Sequence, residues 1–130
     1  MNIIGHGIDI VDIHDFSKII ERSGERFEMQ CFTTTERNLF EFNADRILHL
    51  AGRFAAKEAV LKALGHGLGN NISFLDIEIR QLSTGQPSVI LYEKCKEIAA
   101  ELGVTRWLLS ISHTSSSAAA SAIAVGNSLE

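Results

Sequence analysis

Asp9 is a carboxylate set in an isoleucine- and glycine-rich stretch, Asn2-Ile3-Ile4-Gly5-His6-Gly7-Ile8-Asp9-Ile10-Val11, with no lysine or arginine near it in sequence. Glu58 is a second carboxylate, one helical turn before Lys62 in the alanine-rich segment from Gly52 to Gly65. A hard cation such as Mg²⁺ takes one or two carboxylates, keeps several waters and completes its shell with phosphate oxygens. Asp9 with Glu58 supplies that minimum, and a lysine beside them suits phosphate chemistry. The plainer reading of Glu58 and Lys62 is an i,i+4 ion pair in the favourable order, worth a few tenths of a kcal/mol. On the helix taken alone, the plainer reading is the stronger.

The elements that must position these groups follow from periodicity. On a wheel of 100° per residue, Leu50, Phe54 and Leu61 share one face, and Gly52, Ala55, Ala56, Ala59 and Ala63 form a broad small-residue face. Such a helix is covered nearly all round. Glu58 and Lys62 lie in one gap between the faces, Arg53 and Lys57 in the other, and charges beside buried surface are costly unless paired or used. Residues 2–11 alternate as a strand, with Ile4, His6, Ile8 and Ile10 on one face and Gly5, Gly7 and Asp9 on the other. Two glycines in a strand mark close approach of a ligand or of another backbone. A third element, Trp107 to Thr114, reads as a strand ending in His113 and Thr114, joined by a polar turn to a small-residue strand from Ala118 to Val125. That strand suits packing on the alanine face of the helix. A lone histidine at a strand end, such as His113, is by itself more often a hydrogen-bonded surface residue than a catalyst.

Three motifs in this order, G-x-G-x-D-I-V near the start, G-R-F-A-A-K-E-A-x-x-K-A-x-G in the centre and S-I-S-H-T late, resemble those of the holo-acyl-carrier-protein synthases, the short bacterial branch of the phosphopantetheinyl transferases. The likeness spans nearly the whole chain. It implies an α+β fold, a single 4′-phosphopantetheinyl transferase-like domain over residues 1–130 with a mixed or antiparallel sheet packed on a long central helix. It implies transfer of the phosphopantetheine arm of coenzyme A to a serine of an apo acyl carrier protein, with release of 3′,5′-ADP, as in fatty acid biosynthesis. By the same likeness Asp9 and Glu58 are the Mg²⁺ carboxylates, and Lys62 faces the phosphates as a third catalytic group. Arg53, Lys57, Lys62, Gly65, His113 and Thr114 match the family's nucleotide contacts. Whether Glu58 orients a water or accepts the serine proton stays open. The family's short members form homotrimers with sites at their interfaces, which suits Arg53 and Lys57 lying across the helix from Glu58. Backbone N–H groups of Gly65-His66-Gly67-Leu68-Gly69 offer a phosphate nest, though a plain helix stop explains Gly65 equally well and His66 reads as solvent-facing.

The acceptor surface departs from the pattern. Asp15 stands near where the family commonly carries an arginine, leaving Arg22 and Arg26 as candidates to meet an acidic carrier. Near a helix start Asp15 also has a simple use, a favourable interaction with the helix dipole. Two other classes stay open: a different Mg²⁺-dependent phosphodiester or pyrophosphate enzyme, and a catalytically silent carrier-binding module.

Composition bounds these readings. The chain has 130 residues, 45% of them hydrophobic, which suits one domain and excludes a disordered chain. A net charge of −4 argues against non-specific nucleic-acid binding. Cys31 and Cys95 have no metal or redox spacing and fit a reducing cytoplasm. The first apolar run is broken by Asp9 and lacks a basic leader, so it does not read as a signal peptide, and no stretch is long enough to span a membrane. Between the motifs, Asp12 caps a helix through Ile13, Phe16, Ile19 and Ile20 that stops at Gly24. Thr33 and Glu36 form a capping box for a short helix through Phe40. The long helix is expected from about Ala44 to Gly65. A strand over Leu75–Ile79 reaching Arg80, a turn at 83–87, a strand over Ser88–Leu91 and a helix over Tyr92–Leu102 follow. Cys95, Ile98, Ala99 and Leu102 face inward on that helix, and Gly103 stops it.

Overall fold

The computed structural model describes residues 1–65 and 71–127. In chain order the elements are β1 (Asn2–Asp12), α1 (Ile13–Ser23), α2 (Glu25–Cys31), α3 (Thr34–Leu39) and α4 (Arg46–Leu64). A 3₁₀ turn (Phe74–Asp76) leads into β2 (Ile77–Gln81), β3 (Pro87–Leu91), α5 (Glu93–Leu102), β4 (Val104–His113) and β5 (Ser117–Gly126). This is an α+β fold. One three-stranded sheet has the order β1-β5-β4, the hairpin β2-β3 stands apart, and every pairing among the described residues is antiparallel.

Helix α4 organises the rest. Ala118, Ala120, Ala122 and Ala124 alternate along β5, all buried, and meet the alanine face of the helix. Alanine on both sides lets helix and sheet approach closely, and it is the best helix former on the α4 side. The approach is closest at β1. A Cβ on Gly5 would lie 1.8 Å from the carbonyl oxygen of Ala63, and one on Gly7 would lie 1.9 Å from that of Ala59. The glycines therefore seat helix backbone against strand backbone, the second of the two uses expected for them. On the other side of α4, Phe16 and Phe32 pack with Phe27, Phe54 and Phe74 in an aromatic cluster under α1 and α2. A small-residue layer thus faces the sheet and a large aromatic layer faces the helices.

The caps agree with the sequence. Asp12 accepts from the Asp15 N–H at the start of α1, and Thr33 and Glu36 complete a capping box on α3. Gly65 ends α4 in the left-handed region, at φ 77°. Four details differ. Residues 25–31 form α2, which was not expected, although Phe27 and Cys31 hold an i,i+4 apolar spacing. Helix α4 begins at Arg46, with Asp45 as a cap that makes no side-chain hydrogen bond. Leu75 belongs to the 3₁₀ turn, because Ser73 and Asp76 form a capping box there and delay the strand to Ile77. Leu102, expected inward, is 36% exposed at the end of α5.

Candidate active site

Asp9 faces α4 from β1 because it continues the glycine side of the strand, and the close seat made by Gly5 and Gly7 brings it to the helix. Lys62 Nζ donates to Asp9 Oδ1 at 2.9 Å and to the Ile8 carbonyl at 3.0 Å. The expected Glu58–Lys62 ion pair is thus replaced by one that joins helix to strand. Glu58 holds its proton more tightly than an ordinary carboxyl, first through burial and then through the charge and hydrogen bonding of Asp9, with Lys62 opposing. Two carboxylates that raise each other's electrostatic cost are a natural seat for a cation. Lys62 has its pKa raised by the same Asp9 contact and remains half exposed. Asp9, Glu58 and Lys62 are brought together as the sequence suggested.

Lys57 is a correction. Its ammonium is fully buried and donates to the Cys31 carbonyl at 2.7 Å, Glu36 Oε1 at 2.7 Å and the Phe74 carbonyl at 3.0 Å. An ammonium has three donors, so none remains for a nucleotide. Burial lowers its pKa, while Glu36 pulls the other way. The Glu36 carboxylate also accepts from the Thr33 N–H and the Ile79 N–H, each at 2.8 Å. Lys57 and Glu36 therefore clamp α4 to α2, α3, the 3₁₀ turn and β2. Sequence reasoning saw Glu36 only as a capping residue. The signal available was a charge on each of two elements otherwise headed for burial.

Arg53 lies in the same gap of the helix but meets a cavity of about 170 Å³ between α4, β4 and the β2–β3 hairpin. It is 7% exposed, and its Nε is buried without a hydrogen-bond partner. Burial lowers its pKa, with Glu36 opposing, but an arginine keeps its charge. His113, at the end of β4, lines the cavity with it. Thr114 does not line it. Its Oγ1 accepts from the N–H groups of Ser116 and Ser117 at 3.2 and 3.1 Å and shapes the β4–β5 turn. Gly65 is a helix stop whose N–H donates back to the Lys62 carbonyl at 3.0 Å, so that donor is already engaged. The rest of the nest suggested from the sequence, residues 66–69, lies outside the described residues. His49, one turn before Arg53, also lines the cavity and was not singled out from the sequence.

Asp9 and Ile111 face the same β5 residue, Ala120, from opposite sides. The carboxylate cluster and the Arg53–His113 cavity therefore sit at opposite edges of the sheet, two strand spacings or about 10 Å apart. Arg22 and Arg26 come together in a surface depression with Phe27 and Gln30, between α1 and α2. Asp15 is exposed in the first turn of α1, where its charge faces the positive end of the helix dipole.

Comparison with known proteins identifies the family. Residues 5–122 match the 4′-phosphopantetheinyl transferase superfamily. The holo-acyl-carrier-protein synthase of Caldanaerobacter subterraneus is 44% identical over 120 residues, which are 92% of this chain and 93% of that protein. The Plasmodium yoelii acyl carrier protein synthase with ADP bound superposes with a TM-score of 0.86, at 36% identity and 97% coverage of each chain. The Helicobacter pylori holo-acyl-carrier-protein synthase in complex with coenzyme A gives a TM-score of 0.79 at 33% identity, covering 92% of this chain and 99% of that one. With likeness in sequence and fold running along nearly its whole length, this chain belongs to the holo-acyl-carrier-protein synthases of the 4′-phosphopantetheinyl transferase superfamily.

Proposed function

We propose that this chain, as one domain over residues 1–130, moves phosphopantetheine from coenzyme A to a serine of an apo acyl carrier protein at the Asp9–Glu58–Lys62 cluster, with Mg²⁺. The observation that carries the assignment is the pairing of two carboxylates on rigid elements with a half-exposed lysine beside them. Two carboxylates suit Mg²⁺, whose remaining sites go to water and phosphate oxygens. When bound, the ion neutralises charge on the pyrophosphate and on the leaving group.

The protein's own groups do the rest. The serine oxygen attacks the β-phosphorus, the bond from that phosphorus to the bridging oxygen breaks, and 3′,5′-ADP departs. Such transfers depend on in-line positioning and charge stabilisation more than on covalent catalysis. Two of the three Lys62 N–H groups hold Asp9 and Ile8, and the third is left for the phosphates, where it offsets developing charge. Glu58 receives the serine proton directly or through a water. The Plasmodium yoelii and Helicobacter pylori relatives bind ADP and coenzyme A. In this chain Arg53 and His113 take the nucleotide phosphates.

A homotrimer completes the site. The sheet face turned away from α4 exposes Ile8 at 63%, Ile10 at 70% and Leu108 at 44%, an apolar surface that a second copy would cover. Packing there lets the carboxylate cluster of one copy meet the Arg53 cavity of the next. Arg22 and Arg26 meet the acidic carrier, and Asp15 tunes which carrier is served by setting encounter rate rather than bare affinity. Both cysteines are free and buried, and among the described residues no helix is long and apolar enough to cross a membrane. Free cysteines fit a reducing cytoplasm, and a carrier-protein acceptor fits fatty acid biosynthesis.

Intact mass of apo carrier protein after incubation with this protein, coenzyme A and Mg²⁺ tests the reading. The expected gain is one phosphopantetheine, about 340 Da, abolished by chelator. Unchanged mass across several carriers would sink the transferase reading.

A further inference from the structure

The Arg53 cavity holds one positive charge that its lining does not balance. Among the described residues the guanidinium has no carboxylate partner and its Nε no hydrogen bond; its Cζ lies 4.5 Å over the centre of the Phe40 ring. His49 stacks on that same ring, 4.1 Å between centroids and 6° from parallel. Arg53, His49 and His113 all line the cavity, while the hairpin opposite contributes Gln81, Gly85 and Pro87, none of them charged. The acidic groups acting on the pocket are Asp45, toward His49, and Glu36, toward Arg53. Glu36 is already hydrogen-bonded to Lys57. A buried guanidinium resting on a ring face and open to a cavity is poised for an anion.

His49 differs from Arg53, whose charge is fixed. Its ring is fixed by the stack, and burial and Arg53 hold it neutral, with Asp45 opposing and His113 adding to the effect. An anion seated on Arg53 reverses the local field and makes protonation of His49 favourable. Binding and protonation at adjacent sites are then linked, each strengthening the other.

We propose that His49 is a proton-coupled third member of the anion pocket: a dianion taken by Arg53 and His113 draws a proton onto His49, so that nucleotide-phosphate binding tightens as pH falls. This rests on reading the Arg53–His113 cavity as an anion site. The neutral His49 is a positioning residue, stacked on the ring that carries Arg53. The protonated His49 becomes a ligand.

Calorimetric titration of the intact protein with sulfate, in buffers of different ionisation enthalpy, tests it. Sulfate keeps both charges across the range from weakly acid to weakly alkaline pH, whereas a phosphate monoester itself titrates near pH 6. Wild type is expected to take up protons as sulfate binds, with affinity rising by up to about tenfold per pH unit for each proton coupled. In His49→Phe, which retains a flat ring for the Phe40 stack, the protons taken up per sulfate bound should fall clearly. His49→Gln serves if His49→Phe misfolds. Proton uptake in the His49 variants equal to wild type would overturn the role of His49 and leave the anion pocket standing. A wild-type protein that binds no sulfate would overturn both.

Discussion

Lys57 and Lys62 leave the same helix little more than one turn apart and have opposite fates. Lys57 is sealed inside, all three donors held, its pKa lowered by burial. Lys62 is half exposed, linked to Asp9 across the strand–helix seam, and its pKa is raised. The difference lies in what faces each. Behind Lys57 stand α2, α3 and the 3₁₀ turn, which supply backbone carbonyls and Glu36. Beside Lys62 stands the edge strand β1, with a carboxylate and open solvent. One helix therefore uses one lysine to hold the fold and another to do chemistry.

The largest effect that sharpens this comparison is Lys57→Met, which leaves Glu36 buried without its cation. A loss of about 3–5 kcal/mol in urea unfolding is expected. Adding Glu36→Gln should recover part of it, because coupled partners are not additive. Lys62→Met is expected to do the reverse, leaving the urea midpoint little changed, because the Lys62 end of the pair reaches solvent. Phosphopantetheine transfer should fall on the order of 10²–10³-fold, the scale for losing one charge-stabilising donor. If Lys62→Met unfolded the protein as Lys57→Met does, the distinction between the two lysines would collapse.

Gly7→Ala tests the seam that brings Asp9 to the helix. With the Ala59 carbonyl 1.9 Å from the new Cβ, strand and helix must separate. Overpacking of this kind costs about 1–3 kcal/mol. Mg²⁺-dependent transfer should drop along with the melting temperature, since Asp9 moves away from Glu58. A melting temperature held within error would show that β1 does not rest on α4.

The smallest effect is a gain. Glu58 has a folded-state pKa above its unfolded value, so the stability tied to its proton is present below the unfolded pKa and lost as pH rises through the folded one. Glu58→Gln removes that loss. Chelator-treated protein should melt slightly higher with Gln near neutral pH, and the two proteins should converge near pH 4, around the ordinary carboxylate range. Transfer by Glu58→Gln should nonetheless be abolished. A variant less stable than wild type at neutral pH would count against carboxylate repulsion at this site.

Local patterns made most of the elements legible. Period-two alternation marked β1 and β4, a run of small residues marked β5, small and large faces marked α4, and caps at Asp12, Thr33 and Gly65 marked helix ends. Helix α2 escaped notice because it follows Gly24 directly, with no separate capping side chain. Asp9, Glu58 and Lys62 were readable as a group because each was the odd residue in its setting: an acid in a strand, and charges at the border of a buried helix.

Sequence alone determined that α4 would be covered on nearly all sides, that its charges would fall in two gaps, and which family the three motifs resemble. Tertiary structure decided what each charge meets. Arg53 and Lys57 share a gap and the same sign, yet one opens on a cavity with a bare Nε and the other is enclosed by Glu36 and two carbonyls. Helical spacing fixes the direction in which a side chain leaves its axis. The partner waiting there comes from elements distant in the chain, and that partner decides whether a buried charge is neutralised or left free to bind.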